Sequence, residues 1–394
     1  MRRWWVPAII AVLLPAGAIR AEPFVPESDD QVLEHLPSSG SPAVRELRRM
    51  RQQLQGRPED LALAVQLATR YLKLAREESD PRYLGYAQAA LHPWWELQAP
   101  PPEVLLLRAT LRQNRHEFDA ALADLSRVFR QQPHNGQAWL TAAVIHQVRG
   151  DYAAAMKHCL PLLNLADSLT SMVCVSNVAS LNGRAQEAYA ALLRALRDAP
   201  ETSDNLEERL WVLTLLGEIA ARTGDVRVAG QHFREALALG PNDAYLLGTY
   251  ADFLLDQDQA ERARNLLRDH TRADGLLLRL ALAEQRLAAP RLAEHIESLQ
   301  ARFAASRMRG DSLHQGEEAR FTLHLLGQPD AALHLAQANW AVQREPRDAR
   351  ILLEAALAAG KREAVRPVLD FLAQSRLQDV RLEALAGLVR ESGS

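Results

Sequence analysis

The sequence predicts an all-α solenoid built from repeated helical hairpins. Three observations predict it. Apolar residues recur at three- and four-residue spacing through most of the 394-residue chain. Stretches of about 34 residues repeat one placement of small and large apolar side chains. Gly falls inside many copies and Pro at the end of several, which punctuates two helices per copy.

The elements follow in order. Met1, Arg2 and Arg3 precede the apolar stretch Trp4 to Leu14, and Ala16-Gly17-Ala18 supplies small residues two apart, with Ala21 a second cut point. This reads as an export signal over residues 1–21 that is removed. The apolar stretch is roughly half of the ~20 residues that a membrane span needs. Residues 22–42 are rich in Pro, Ser and acid and read as an extended arm. The arm serves as a linker, docks on a partner, or occupies the chain's own groove; the residues leave these three open. Val44, Leu47, Met50 and Leu54 give residues 43–55 a helical period, so a capping helix is expected there, and 22–57 together form an N-terminal segment.

Hairpins in clear register are expected over 58–271. Residues 58–92 form a first pair around Leu67, Ala68 and Tyr71, with a longer turn at 76–82. Residues 102–135 carry Leu105, Ala109, Phe118, Ala121, Leu125 and Pro133. Residues 136–169 carry Trp139, Ala143, Gly150, Tyr152, Ala155 and Cys159. Residues 169–202 carry Gly183, Ala188, Leu192 and Pro200. A polar insert at 201–209 precedes the clearest copy, Leu210 to Asp243, which holds Leu216-Gly217, Ala229, Phe233, Ala236 and Pro241. Residues 244–271 keep Tyr250, Ala251 and Ala263. From 272 to 394 the pattern decays into degenerate helical copies and a C-terminal cap, with Gly327, Ala332, Ala336 and Pro346 still in place.

The spacing of Leu216, Gly217, Ala229, Phe233, Ala236 and Pro241 resembles the tetratricopeptide repeat, a helix–turn–helix unit of about 34 residues. The resemblance implies a right-handed superhelix whose first helices line a concave wall. It also implies which positions face that wall: Glu103, Leu106, Thr110 and Gln113; Gln137, Leu140, Val144 and Gln147; Thr170, Val173, Asn177 and Ser180; Trp211, Thr214, Glu218 and Ala221; Tyr245, Gly248, Asp252 and Leu255. This set holds no Lys or Arg. Family members that clamp an acidic C-terminus use such donors, and only Asn177 matches them, so that mode is excluded. The implied partner site is Gln137, Val144, Gln147, Asn177, Trp211, Glu218, Tyr245 and Asp252. Aromatic anchors with carboxylates suit a peptide carrying apolar groups and a basic residue.

Composition agrees with an interaction protein. Hydrophobic residues make up 48% of the chain, which excludes wholesale disorder, and a net charge of −3 argues against nucleic acid as the main partner. Once the signal is removed no integral span is expected. Cys159 and Cys174 are the only cysteines. They fall on neighbouring helices in an exported chain, so they form either a disulfide, worth about 3 kcal/mol for a ~15-residue loop, or two buried thiols. None of the twelve histidines has zinc-like spacing; His314, His324 and His334 recur every ten residues, which does not hold one helix face. Gly-rich phosphate loops and Gly-x-Ser-x-Gly elbows are absent. No catalytic residue, metal or cofactor is therefore assigned. The functional expectation is an exported, periplasmic scaffold of a Gram-negative cell envelope that holds a partner protein or peptide. The alternative is a glycan- or peptidoglycan-binding solenoid, with an enzymatic role included, using Tyr83, Tyr86, Trp94 and Trp95.

Overall fold

The computed structural model describes residues 42–391, apart from 79, 203–204, 241–242 and 309–314. The export signal, residues 22–41, Pro241 and His314 lie outside the described residues. Contacts divide the chain into two units, 1–49 and 50–394. The division falls within α1 (Pro42–Gly56). The hairpins belong to the second unit.

The described residues form α-helices, with a 3-10 turn at Arg362–Val365, and no strand. The first hairpin joins α2 (Leu61–Glu78) to α3 (Arg82–Ala90), with the short α4 (His92–Trp95) after it. Next come α5 (Pro102–Asn114) with α6 (Phe118–Gln131), and α7 (Gly136–Val148) with α8 (Tyr152–Cys159). The short α9 (Leu162–Leu165) leads to α10 (Ser168–Leu181) and α11 (Ala185–Asp198). Then follow α12 (Leu206–Arg222) with α13 (Val226–Ala238), α14 (Ala244–Asp256) with α15 (Ala260–Leu267), and α16 (Asp274–Arg286) with α17 (Leu292–Met308). The degenerate copies give α18 (Gln315–His324) with α19 (Pro329–Val342), α20 (Pro346–Ala358) with α21 (Arg366–Ser375), and a last helix, α22 (Val380–Glu391). Helices also enter two stretches expected to be turn: α2 runs to Glu78, and α12 starts at Leu206.

Local chemistry sets these boundaries. Asn135, Asp151, Asp167, Asp225 and Asp243 each accept a hydrogen bond from the backbone N–H three residues on, satisfying a donor that the helix start leaves free. Pro133 and Pro200 stand two residues beyond the ends of α6 and α11. Inside the best copy, Gly217 is required by a close approach. A Cβ there would lie 2.8 Å from Cε1 of Phe233, which is fully buried between Tyr250 and Phe253 at ring distances of 5.4 and 5.3 Å.

The C-terminal helices were expected only as a cap. They also return to the middle of the array. Gly150 and Gly183, both at φ +75°, sit in the turns inside two hairpins. Phe371 packs on Gly150 and Arg376 on Gly183, so a Cβ at either glycine would be 2.6 or 3.0 Å from its nearest neighbour. Val380 reaches the turn at Gly224, and the Gln378 side chain accepts from the Ala185 backbone N–H at 3.0 Å. One apolar cluster accordingly joins Tyr152, Ala155 and Val178 to Trp340, Leu352 and Val368.

Candidate functional site

The eight residues of the implied partner site lie on α7, α10, α12 and α14, the first helices of their hairpins. Gln137 and Tyr245 are exposed; Val144, Gln147, Asn177, Trp211, Glu218 and Asp252 are half-buried. Val173, Ser180, Thr214, Gly248 and Leu255, which the resemblance placed on the same wall, are buried instead. Between neighbouring hairpins those positions contribute packing rather than accessible surface.

Tyr245 stands on the first turn of α14 with 51% of its surface exposed, and its hydroxyl donates to Glu218 Oε1 at 2.7 Å. Protein surrounds this pair despite the opening to solvent. Burial, with the Glu218 charge second, raises the Tyr245 pKa well above its ordinary value. Burial also raises that of Glu218, against the opposing pull of Arg222 and the Tyr245 hydroxyl. Arg347, on α20, lies close enough to act electrostatically on both and has 56% of its side chain exposed. Its guanidinium pairs with Glu345 at 2.5 Å.

Further along α14 lies a network of charges. Asp252 Oδ2 accepts from Arg279 Nε and Nη2 at 2.9 and 2.7 Å, and Arg320 Nη1 lies 2.7 Å from Oδ1. Arg279 also donates to Glu317 at 3.0 Å and to the Gly275 carbonyl at 2.8 Å. Burial alone would raise the Asp252 pKa, but the two guanidiniums outweigh it and hold the carboxyl well below the usual range. The same two arginines lower Glu317 against its burial. Asp256, one turn beyond Asp252, pairs with Arg350 at 2.8 Å and with Arg381.

The set without Lys or Arg covered only the five copies counted from the sequence. Later first helices supply Arg279, Arg320, Arg347 and Arg350, and α22 supplies Arg381. Asp252 is neutralised inside the chain and Glu218 is occupied by Tyr245, so the case for a basic residue in the partner is withdrawn. The missed arginines left one signal in the sequence. Arg279 is a lone charge in the apolar run 276–283, and a buried charge requires a partner.

The second aromatic cluster separates into two. Tyr71, Tyr83 and Tyr86 form one group with ring distances of 5.5 to 6.1 Å. Trp95 is buried, and Arg108 lies over its ring at 5.8 Å. Arg108 in turn pairs with the buried Asp124 at 2.7 Å. Trp94 is half-buried, so the Trp94–Trp95 pair presents no open double platform. The structure places Cys159 and Cys174 in a disulfide between α8 and α10, with Cα atoms 5.6 Å apart. His146 and His158 stack at 4.9 Å.

Consecutive antiparallel helix pairs, with glycine where Phe233 crosses and caps at the helix starts, decide the architecture. The fold is a tetratricopeptide-like solenoid. No protein-family model matches the sequence, and no curated protein matches it. Solved structures are similar at low identity. One is the Cut9-Hcn1 hetero-tetramer of APC/C, at 14% identity and TM-score 0.43, covering 79% of this chain; the chain spans 59% of that one. Another is a tetratricopeptide repeat protein from Parabacteroides merdae, at 12% identity and TM-score 0.39, covering 64% of this chain and 98% of that one. A third is a Rap protein complexed with competence and sporulation factor, at 12% identity and TM-score 0.49, covering 84% and 99%. No helix among the described residues is long and apolar enough to cross a membrane.

Proposed function

We propose that this solenoid is a non-catalytic scaffold that binds a segment of another protein at the opening framed by Trp211, Tyr245 and Arg347. One observation carries the reading. A half-exposed tyrosine is held in place by Glu218, and Asp252, two turns further along the same helix, is already paired with Arg279, so an aromatic face is presented beside a charge compensated within the chain. Tyrosine and arginine are the residue types that dominate binding energy at protein interfaces. The partner segment would lay an apolar side chain on Tyr245 and Trp211 and set an acceptor against Arg347. Gln137, Val144, Gln147 and Asn177 would extend the contact toward the N-terminal hairpins.

Export completes the proposal. The signal at 1–21 would deliver the chain to the periplasm of a Gram-negative cell, an oxidising compartment suited to a Cys159–Cys174 bridge. A role in cell-envelope assembly accords with that location.

A photo-crosslinking residue placed at position 245 in cells tests the reading, with position 237 on the second helix α13 as the control. A discrete adduct at 245, absent at 237 and lost on Trp211→Ala, supports it. Adducts of equal yield at both positions would overturn it.

A further inference from the structure

A cavity of about 290 Å³ lies where the α7–α8 turn meets the connection from α19 to α20, and neither Tyr245 nor Trp211 lines it. Its walls are fixed by the backbone. The Arg344 N–H donates to the Val148 carbonyl at 2.8 Å, and Gly150 is closed in by Phe371 and the Arg344 Cβ. His146, Arg149, Asp151, Ala341, Val342 and Arg344 line it.

The polar groups here are unequally committed. Asp151 caps α8 through Oδ1, accepting from the Ala154 N–H at 3.0 Å, and its Oδ2 is 3.6 Å from His146 Nδ1. Among the described residues Arg149 has one ionic partner, Asp119 at 2.7 Å, whose side chain is 90% exposed; such a pair is screened by water and easily exchanged. Arg344 makes no ion pair among the described residues and is exposed. Two arginines thus line one cavity with a single carboxylate that is already engaged. Ala341 and Val342, at the end of α19, add exposed methyl groups to the same wall.

We propose that this cavity binds an aliphatic carboxylate, with Arg344 and Arg149 holding the carboxylate and Ala341 and Val342 the alkyl part. Guanidinium matches a carboxylate through paired N–H donors. The volume is at the small end for ligand sites, so it accommodates one end of a ligand: a short free acid or the C-terminal residue of a peptide. This site is independent of the scaffold reading and stands if the opening at Tyr245 binds nothing.

Calorimetric titration of the full chain at matched ionic strength tests it, with isobutyrate, N-acetyl-Gly-Val and N-acetyl-Gly-Val amide as probes. Saturable binding of an acid, at least about tenfold weaker for the amide and for Arg344→Gln, is expected, since a tenfold change corresponds to one modest contact. Arg344→Lys should restore part of it. Tighter binding of the peptide acid identifies a chain end as the source; tighter binding of isobutyrate identifies a free acid. Equal binding of acid and amide overturns the proposal. So does undiminished binding by Arg344→Gln, or no saturation by either acid up to about 10 mM. Arg344 is exposed, so its variants should keep the helical circular dichroism of the wild type and remain interpretable.

Discussion

Replacing Gly217 by Ala sets two known effects against each other. Gly217 lies inside α12, where Ala is favoured over Gly by about 1 kcal/mol on helix propensity alone. The structure argues for the opposite sign. The new Cβ would lie 2.8, 2.9 and 3.0 Å from Cε1, Cδ1 and Cζ of Phe233. Carbon atoms settle at about 3.5–4.0 Å, so the ring would have to retreat by roughly 0.7 Å. Phe233 is fully buried against Tyr250 and Phe253 and has nowhere to go. Overpacking of this kind costs about 1–3 kcal/mol, which leaves a net loss on the order of 1 kcal/mol after the propensity gain. Urea unfolding measures the total. Hydrogen exchange over Leu206–Ala238 measures the local part, because repeat arrays open in sections. In a Phe233→Leu background the cost of Gly217→Ala should shrink, giving a coupling of about 1 kcal/mol. A neutral or stabilising Gly217→Ala, or strict additivity with Phe233→Leu, would refute the reasoning.

Two further predictions concern covalent and charged contacts. Replacing Cys159 and Cys174 by Ala should lower stability by about 3 kcal/mol, the chain-entropy value for a loop of this length; wild type under reductant should then match the double variant in urea midpoint, and an unchanged midpoint in both would show that the bridge contributes nothing. Glu354 is opposed by burial, but His324 at 3.0 Å and Arg350 at 2.7 Å pull its pKa down from 4.5 to about 2. Because the folded value is the lower one, the stabilisation is complete above pH 4.5 and fades as pH falls toward 2, and the gap corresponds to ~3 kcal/mol. Glu354→Gln should therefore cost most at pH 6 and progressively less at pH 4 and 3; a cost independent of pH would disprove the pairing.

Much of the architecture was legible because it is local. The glycine at 217 and the aromatic at 233 act within one hairpin, so their spacing survives in the sequence. The glycines at 150 and 183 were legible for the same reason. Their second role was not. Phe371 and Arg376 carry no periodic signal that ties them to residues about two hundred positions earlier. The candidate site divides in the same way. Tyr245 and Glu218 could be placed because their helices keep register. Arg320, which reaches Asp252 from a degenerate copy, could not, since charge pairing across hairpins leaves no fixed spacing. Burial of Val173 and Thr214 was likewise set by the angle between adjacent hairpins, which residue order does not state.

The return of α21 and α22 onto the turns at Gly150, Gly183 and Gly224 fixes how many units this array can contain. An open-ended stack gains or loses a hairpin with little effect on the rest. Here an added or deleted hairpin between α8 and α20 would carry Phe371 and Arg376 past the glycines that receive them. Insertions and deletions should therefore be tolerated in the connections but not as whole hairpins. Folding must also wait for contacts between distant parts of the chain, which makes assembly slower than for an open array of equal length.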